Sequence, residues 1–131
     1  MSDDAPPRIL GTWPRGRALA ADCPSRRLLG DVTSKWGVLV LVSLHRGPLR
    51  WSELLRGIGG ISEKMLAQTL RTLERDGIVL REARPVVPPY VEYRLTDEGR
   101  EVTDLLLPLL DWAETHVPLV VGGHGAPEDG G

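Results

Sequence analysis

Lys64, Gln68, Arg71 and Arg75 recur at i, i+4, i+7 and i+11, a spacing that gathers them on one side of an α-helix at about 100° per residue. Leu66, Leu70 and Leu73 fall on the other side and read as a core stripe. Cationic and amide groups so arrayed suit phosphates and the base edges of a DNA groove. A solvated surface helix would show the same stripe, so the flanking residues must decide. Cys23, the single thiol, is the second candidate for chemistry. It precedes Pro24 at the expected start of a helix, a position that lowers a thiol pKa, with Arg26 and Arg27 acting in the same sense and Asp22 against it. A reactive thiolate and a packed structural thiol both fit that setting.

Other chemistry finds little support. His45, His116 and His124 have no cysteine or carboxylate at ligand spacing, so neither a metal nor a cofactor is expected. Gly57-Ile58-Gly59-Gly60 resembles a phosphate loop superficially, but the sixth position is Ser62 and no strand precedes it. No nucleophile–base–acid arrangement is present, and the chain is expected not to be an enzyme.

The elements that position the cationic stripe follow from their boundaries. Asp76-Gly77 stops the helix, since Gly adopts the left-handed conformation cheaply. Ile78–Glu82 reads as a strand, and Val91–Leu95 alternates apolar and polar like a strand with one buried face. Between them, Arg84–Tyr90 carries three prolines, which favour an extended projecting tip. Thr96 is an N-cap candidate, with Asp97 and Glu98 placed well for the helix dipole. Upstream, Ser25–Asp31 reads as a short helix behind Pro24, and Trp51–Arg56 as the first helix of a helix-turn-helix. Lys35–His45, ended by Gly47-Pro48, is a buried helix or a buried strand, and periodicity does not settle which. The spacing predicts a last helix over Asp97–His116, with a kink near Asp104 caused by Pro108. Its stripe of Leu105, Leu106, Leu109 and Trp112, widened by Leu107 and Leu110, exceeds what one small domain buries. The expected fold is mainly α with a small β-wing (α+β), a winged helix-turn-helix, dimeric. A twofold dimer would read a pseudo-palindromic operator with half-sites about one DNA turn apart.

At 131 residues the chain is one domain, 23–116, between an arm (1–22) and a tail (117–131) expected to be flexible. Ile9, Leu10 and Trp13 of the arm could dock on a partner subunit. The net charge of −2 argues against a polyanion partner until its distribution is read. Residues 25–95 hold twelve Lys/Arg against seven Asp/Glu, while residues 96–131 hold one Arg against eight acids. This asymmetry steers the basic part toward nucleic acid. No apolar core follows a basic start and no segment is long enough to span a bilayer. With one cysteine, a reducing cytoplasm and no membrane are expected.

In order and spacing the chain resembles the HxlR-type transcriptional regulators. The matching pieces are Cys23-Pro24, Lys35-Trp36, Trp51-Ser52-Glu53-Leu54, Gly60–Leu66, Leu70–Gly77, Pro88–Tyr93, Leu95–Gly99 and Trp112, so the likeness runs from Cys23 to His116. It implies a bacterial homodimer acting on double-stranded DNA, and it favours helix for Lys35–His45. On this reading Lys64, Gln68 and Arg71 enter the major groove and Ser62 caps the helix. Arg75 and Arg84 contact phosphates, with Arg50 and Lys35 secondary. Thr69 and Tyr90 stand where long polar or basic residues are common in the family, and each is expected to remove a DNA contact. In some members an N-terminal cysteine senses oxidants or electrophiles, which extends to Cys23 as a resemblance only. Two other readings compete. One is a winged helix used for protein contact. The other is a small-molecule effector held at an apolar dimer interface near Trp36, Trp51 or Trp112.

Overall fold

A computed structural model describes residues 23–120, with side chains through 117. The expectations for the arm 1–22, with Ile9, Leu10 and Trp13, and for 121–131, with His124, lie outside the described residues.

Helix α1 spans Pro24–Thr33, with Pro24 in its first turn and Cys23 as N-cap. Ser34 then separates two helices. Its hydroxyl donates to the Asp31 carbonyl at 3.1 Å and accepts from the Gly37 N–H at 3.0 Å, which caps α2, Lys35–His45. Val40, Leu41 and Leu44 of α2 are wholly buried, so this helix is apolar because it runs through the core. Strand β1 is Leu49–Arg50, followed by α3 (Trp51–Gly57), α4 (Glu63–Arg75), β2 (Val79–Arg84), β3 (Tyr90–Leu95) and α5 (Asp97–Val120). The last helix passes Pro108 as one element and continues beyond His116. The sheet is antiparallel in the order β1-β3-β2, with Arg50 opposite Glu92 and Arg84 opposite Tyr90.

The core gathers Leu54, Leu66, Leu73 and Val79 around α2. Gly77, at φ +77, closes α4: its N–H bonds the Glu74 carbonyl and the Ile78 N–H bonds that of Leu73. The chain therefore turns sharply from α4 into β2. Thr96 ties this corner to α5. Its hydroxyl donates to the Gly77 and Ile78 carbonyls at 2.7 and 3.1 Å and accepts from the Gly99 N–H at 3.0 Å. His45, at the end of α2, reaches Asp104 of α5 at 3.1 Å.

One joint places carboxyls together. Asp31 at the end of α1 and the almost fully buried Asp76 at the end of α4 come together, and the Oδ2 atoms of both have no hydrogen-bond partner among the described residues. Two carboxyls bond each other only when one keeps a proton. Burial, then the bond and charge of Asp31, push Asp76 above the usual carboxylate range. Arg75 at 4.0 Å and Arg27 at 3.8 Å pull it down less strongly. A raised folded-state pKa means the pair stabilises the fold at low pH, and the contribution is lost as pH rises from 3.8 through the raised value. Asp31→Asn supplies a permanent donor, and it should raise the melting temperature at neutral pH and flatten its slope in mildly acidic buffer. A variant no more stable than wild type at pH of about 7 would show that no proton is shared.

Candidate nucleic-acid interface

The cationic stripe sits on α4. Ser62 caps the helix, its hydroxyl accepting from the Met65 N–H at 3.0 Å, with Glu63 in the first turn. Leu66, Leu70 and Leu73 turn into the core, while Lys64, Gln68, Arg71 and Arg75 all remain exposed on the opposite side. Burial of the leucines therefore fixes the rotation of the helix and with it the direction of the four polar groups.

Thr69 needs a correction. It is 8% exposed and faces inward between Leu66 and Leu73, so its short side chain costs no contact at the surface. Helical angles alone place it there.

Tyr90 carries no charge of its own but has two guanidiniums beside it. The Arg84 guanidinium lies 4.7 Å from its ring centroid and that of Arg50 lies 5.4 Å away. The phenol donates to Glu92 at 2.9 Å, and the same carboxylate is 3.4 Å from Arg84. The structure thus brings Arg50 and Arg84 together, although 34 positions separate them in sequence. Strand β1, which does this, is only two residues long and carries no periodicity in the sequence. Arg50 also starts α3, its N–H donating to Glu53 at 2.8 Å. Lys35 is exposed at the start of α2, its ammonium 4.4 Å over the Trp36 ring. A β-carbon at Gly60, in the α3–α4 turn, would lie 3.8 Å from that same ring.

The expected dimer stripe divides in two. Leu105, Leu109 and Trp112 are 74, 57 and 55% exposed. Leu106 is 6% exposed and belongs to this chain's own core, because one turn of α5 must face α2 while the next residues around it do not. Trp112 stacks on His116 with centroids 4.4 Å apart. Leu105 continues into an apolar groove with Leu28, Leu29 and Val32 of α1, rimmed by Glu98, Glu101 and Asp104. No tryptophan lines this groove, and Trp36 and Trp51 pack on the core. Cys23 is half-buried at the α1 N-cap. Among the described residues no helix is long and apolar enough to cross a membrane.

The model of the HxlR-like helix-turn-helix family matches residues 31–120. The uncharacterised HTH-type transcriptional regulator YtfH of Escherichia coli K12 is 54% identical over 106 residues, covering 81% of this chain and 84% of that one. Among solved structures, the transcriptional regulator ytfH from Salmonella typhimurium superimposes with a TM-score of 0.75 at 51% identity, covering 82% of this chain and 96% of that chain. The redox regulator HypR in its oxidised form gives 0.66 at 38%, covering 71% and 96%.

Proposed function

Because the chain belongs to the HxlR-like helix-turn-helix family, and is thereby a transcriptional regulator with a DNA-binding helix-turn-helix, we propose that it acts as a homodimer on a pseudo-palindromic operator. In this reading α4 lies in the major groove. Lys64, Gln68 and Arg71 meet base edges, Ser62 fixes the helix entry, and Arg75, Arg84, Arg50 and Lys35 hold phosphates. The observation that carries it is the exposed Lys64–Gln68–Arg71–Arg75 face directly opposite the buried leucines of α4. The competing protein-contact reading rests on the non-basic residues at Thr69 and Tyr90; the burial of Thr69 and the two guanidiniums beside Tyr90 favour DNA instead.

Titrating the promoter region that flanks its own gene tests the proposal. Affinity should fall steeply with salt, as neutralised phosphates release counterions. Arg75→Ala should weaken all sequences alike. Gln68→Ala should relax discrimination at one base pair, worth about 1–3 kcal/mol. If Gln68→Ala leaves the ranking of operator variants unchanged, α4 is not oriented this way.

The name of the HypR structure and the N-cap position of Cys23 support a second element, response to oxidants or electrophiles through Cys23. In the same titration diamide or a quinone should release wild type from DNA, while Cys23→Ser binds normally and ignores the reagent. A wild-type complex that survives the reagent leaves Cys23 a packing residue.

A further inference from the structure

The wing tyrosine has two guanidiniums beside its ring, and the register of the sheet explains why. Directly paired residues of neighbouring strands share a face. Arg84 on β2 is opposite Tyr90 on the central strand β3, and Arg50 on β1 is opposite Glu92, two residues along the same face of β3. The flanking strands therefore each deliver one guanidinium to the same aromatic ring, at 4.7 and 5.4 Å.

Exposure orders the cluster in depth. The Glu92 side chain is 15% exposed and lies underneath, while that of Arg84 is 59% exposed. Glu92 accepts the phenol proton at 2.9 Å and draws Arg84 to 3.4 Å, which pins the ring and one guanidinium from below. The hydrogen bond to Glu92 also pushes the Tyr90 phenol above its usual pKa of 10.0, so the ring stays a neutral donor. Glu92 and, beside Arg50, Glu53 offset part of the charge, while Arg84 keeps 59% of its side chain toward solvent. A guanidinium held over a ring face keeps the N–H groups not spent on Glu92 available to phosphate oxygens, and its rotamer freedom is restricted before the ligand arrives.

We infer that Tyr90 is a positioning residue which holds Arg50 and Arg84 as one paired clamp for backbone phosphate beside the recognition helix. The inference rests on the DNA-binding reading above. Tyr90 acts through the two arginines, so its effect on DNA must disappear when they are gone. Phenylalanine keeps the stacking face and leucine removes it, while both suit a strand.

The test measures operator affinity and its salt slope for Tyr90→Leu, Tyr90→Phe and Arg50→Ala/Arg84→Ala, alone and combined, with thermal unfolding of each protein as a folding control. The double arginine variant should reduce the magnitude of the salt slope by about 2, one per phosphate contact. Tyr90→Leu should weaken binding about two- to fivefold, the size of an exposed cation–π contact, and shallow the slope. Tyr90→Phe should stay within twofold of wild type. Tyr90→Leu should add nothing to the double arginine variant. Four outcomes would overturn the clamp. Tyr90→Leu could match wild type, or Tyr90→Phe could match Tyr90→Leu. Tyr90→Leu could keep its full cost without the arginines, or the double arginine variant could keep the wild-type slope. In each of these the wild-type protein still binds its operator, so the DNA-binding reading survives. Only a wild type that binds no DNA removes both.

Discussion

Leu105→Glu/Leu109→Glu should yield a folded monomer that binds its operator about 10²–10⁴-fold more weakly than wild type, the gain that linking two half-site contacts supplies. Both leucines are largely exposed in the single chain, so glutamates there disturb no core of their own. With Trp112 they form an apolar row on α5, and a row of this kind marks an interaction surface. Sedimentation and an operator titration read the two consequences separately. Leu106→Ala is the contrasting change. Its side chain is buried within the chain, and it should cost about 2–5 kcal/mol of folding stability while leaving the row intact. A double glutamate variant that sediments as wild type does would place the subunit contact elsewhere.

Gly99→Ala should be among the most destabilising single substitutions available, costing about 3 kcal/mol or more and lowering the melting temperature by about 12 °C or more. A β-carbon at Gly99 collides with the carbonyl oxygen of Ile78 and reaches its carbonyl carbon at 3.1 Å. That obstacle is backbone and cannot swing away. The same oxygen accepts the Thr96 N–H at 3.0 Å and the Thr96 hydroxyl at 3.1 Å, so making room breaks the cap of α5 as well. Gly30, in α1, has nothing within 4 Å of such a carbon. Gly30→Ala should therefore be neutral or gain up to about 1 kcal/mol of helix propensity, and thermal unfolding of the pair isolates the steric effect. Equal stability of the two variants would mean that α5 does not rest on the Gly77–Ile78 turn at this point.

What the sequence disclosed depended on how local the signal was. The two faces of α4, its Ser62 cap and its Gly77 stop are written within sixteen consecutive positions, and helical angles are enough to read them. Those same angles put Thr69 with the leucines, which a position-by-position likeness to the family does not convey. Leu106 was harder. Nothing in an apolar stripe says which part its own core will claim, and α2 decides that only once packed. Strand β1 has two residues and no period to detect, so the meeting of Arg50 with Tyr90 could not be foreseen. Asp31 and Asp76 are 45 positions apart and look like two unrelated surface acids until α1 crosses the end of α4.

The corner made by Gly77, Ile78, Thr96 and Gly99 fixes the end of α4 to the start of α5 through one hydroxyl and one tight backbone contact. Such a joint has almost no slack, so α5 behaves as the long arm of a lever. Its 24 residues span about 36 Å at 1.5 Å per residue. A tilt of roughly 5° over that length displaces the far end by about 3 Å, close to the spacing of successive base pairs. In the proposed dimer, an effector acting along α5 need not unfold or reshape anything. A few degrees of rotation are enough to carry a reading head from one base pair to the next and put the two half-sites out of phase.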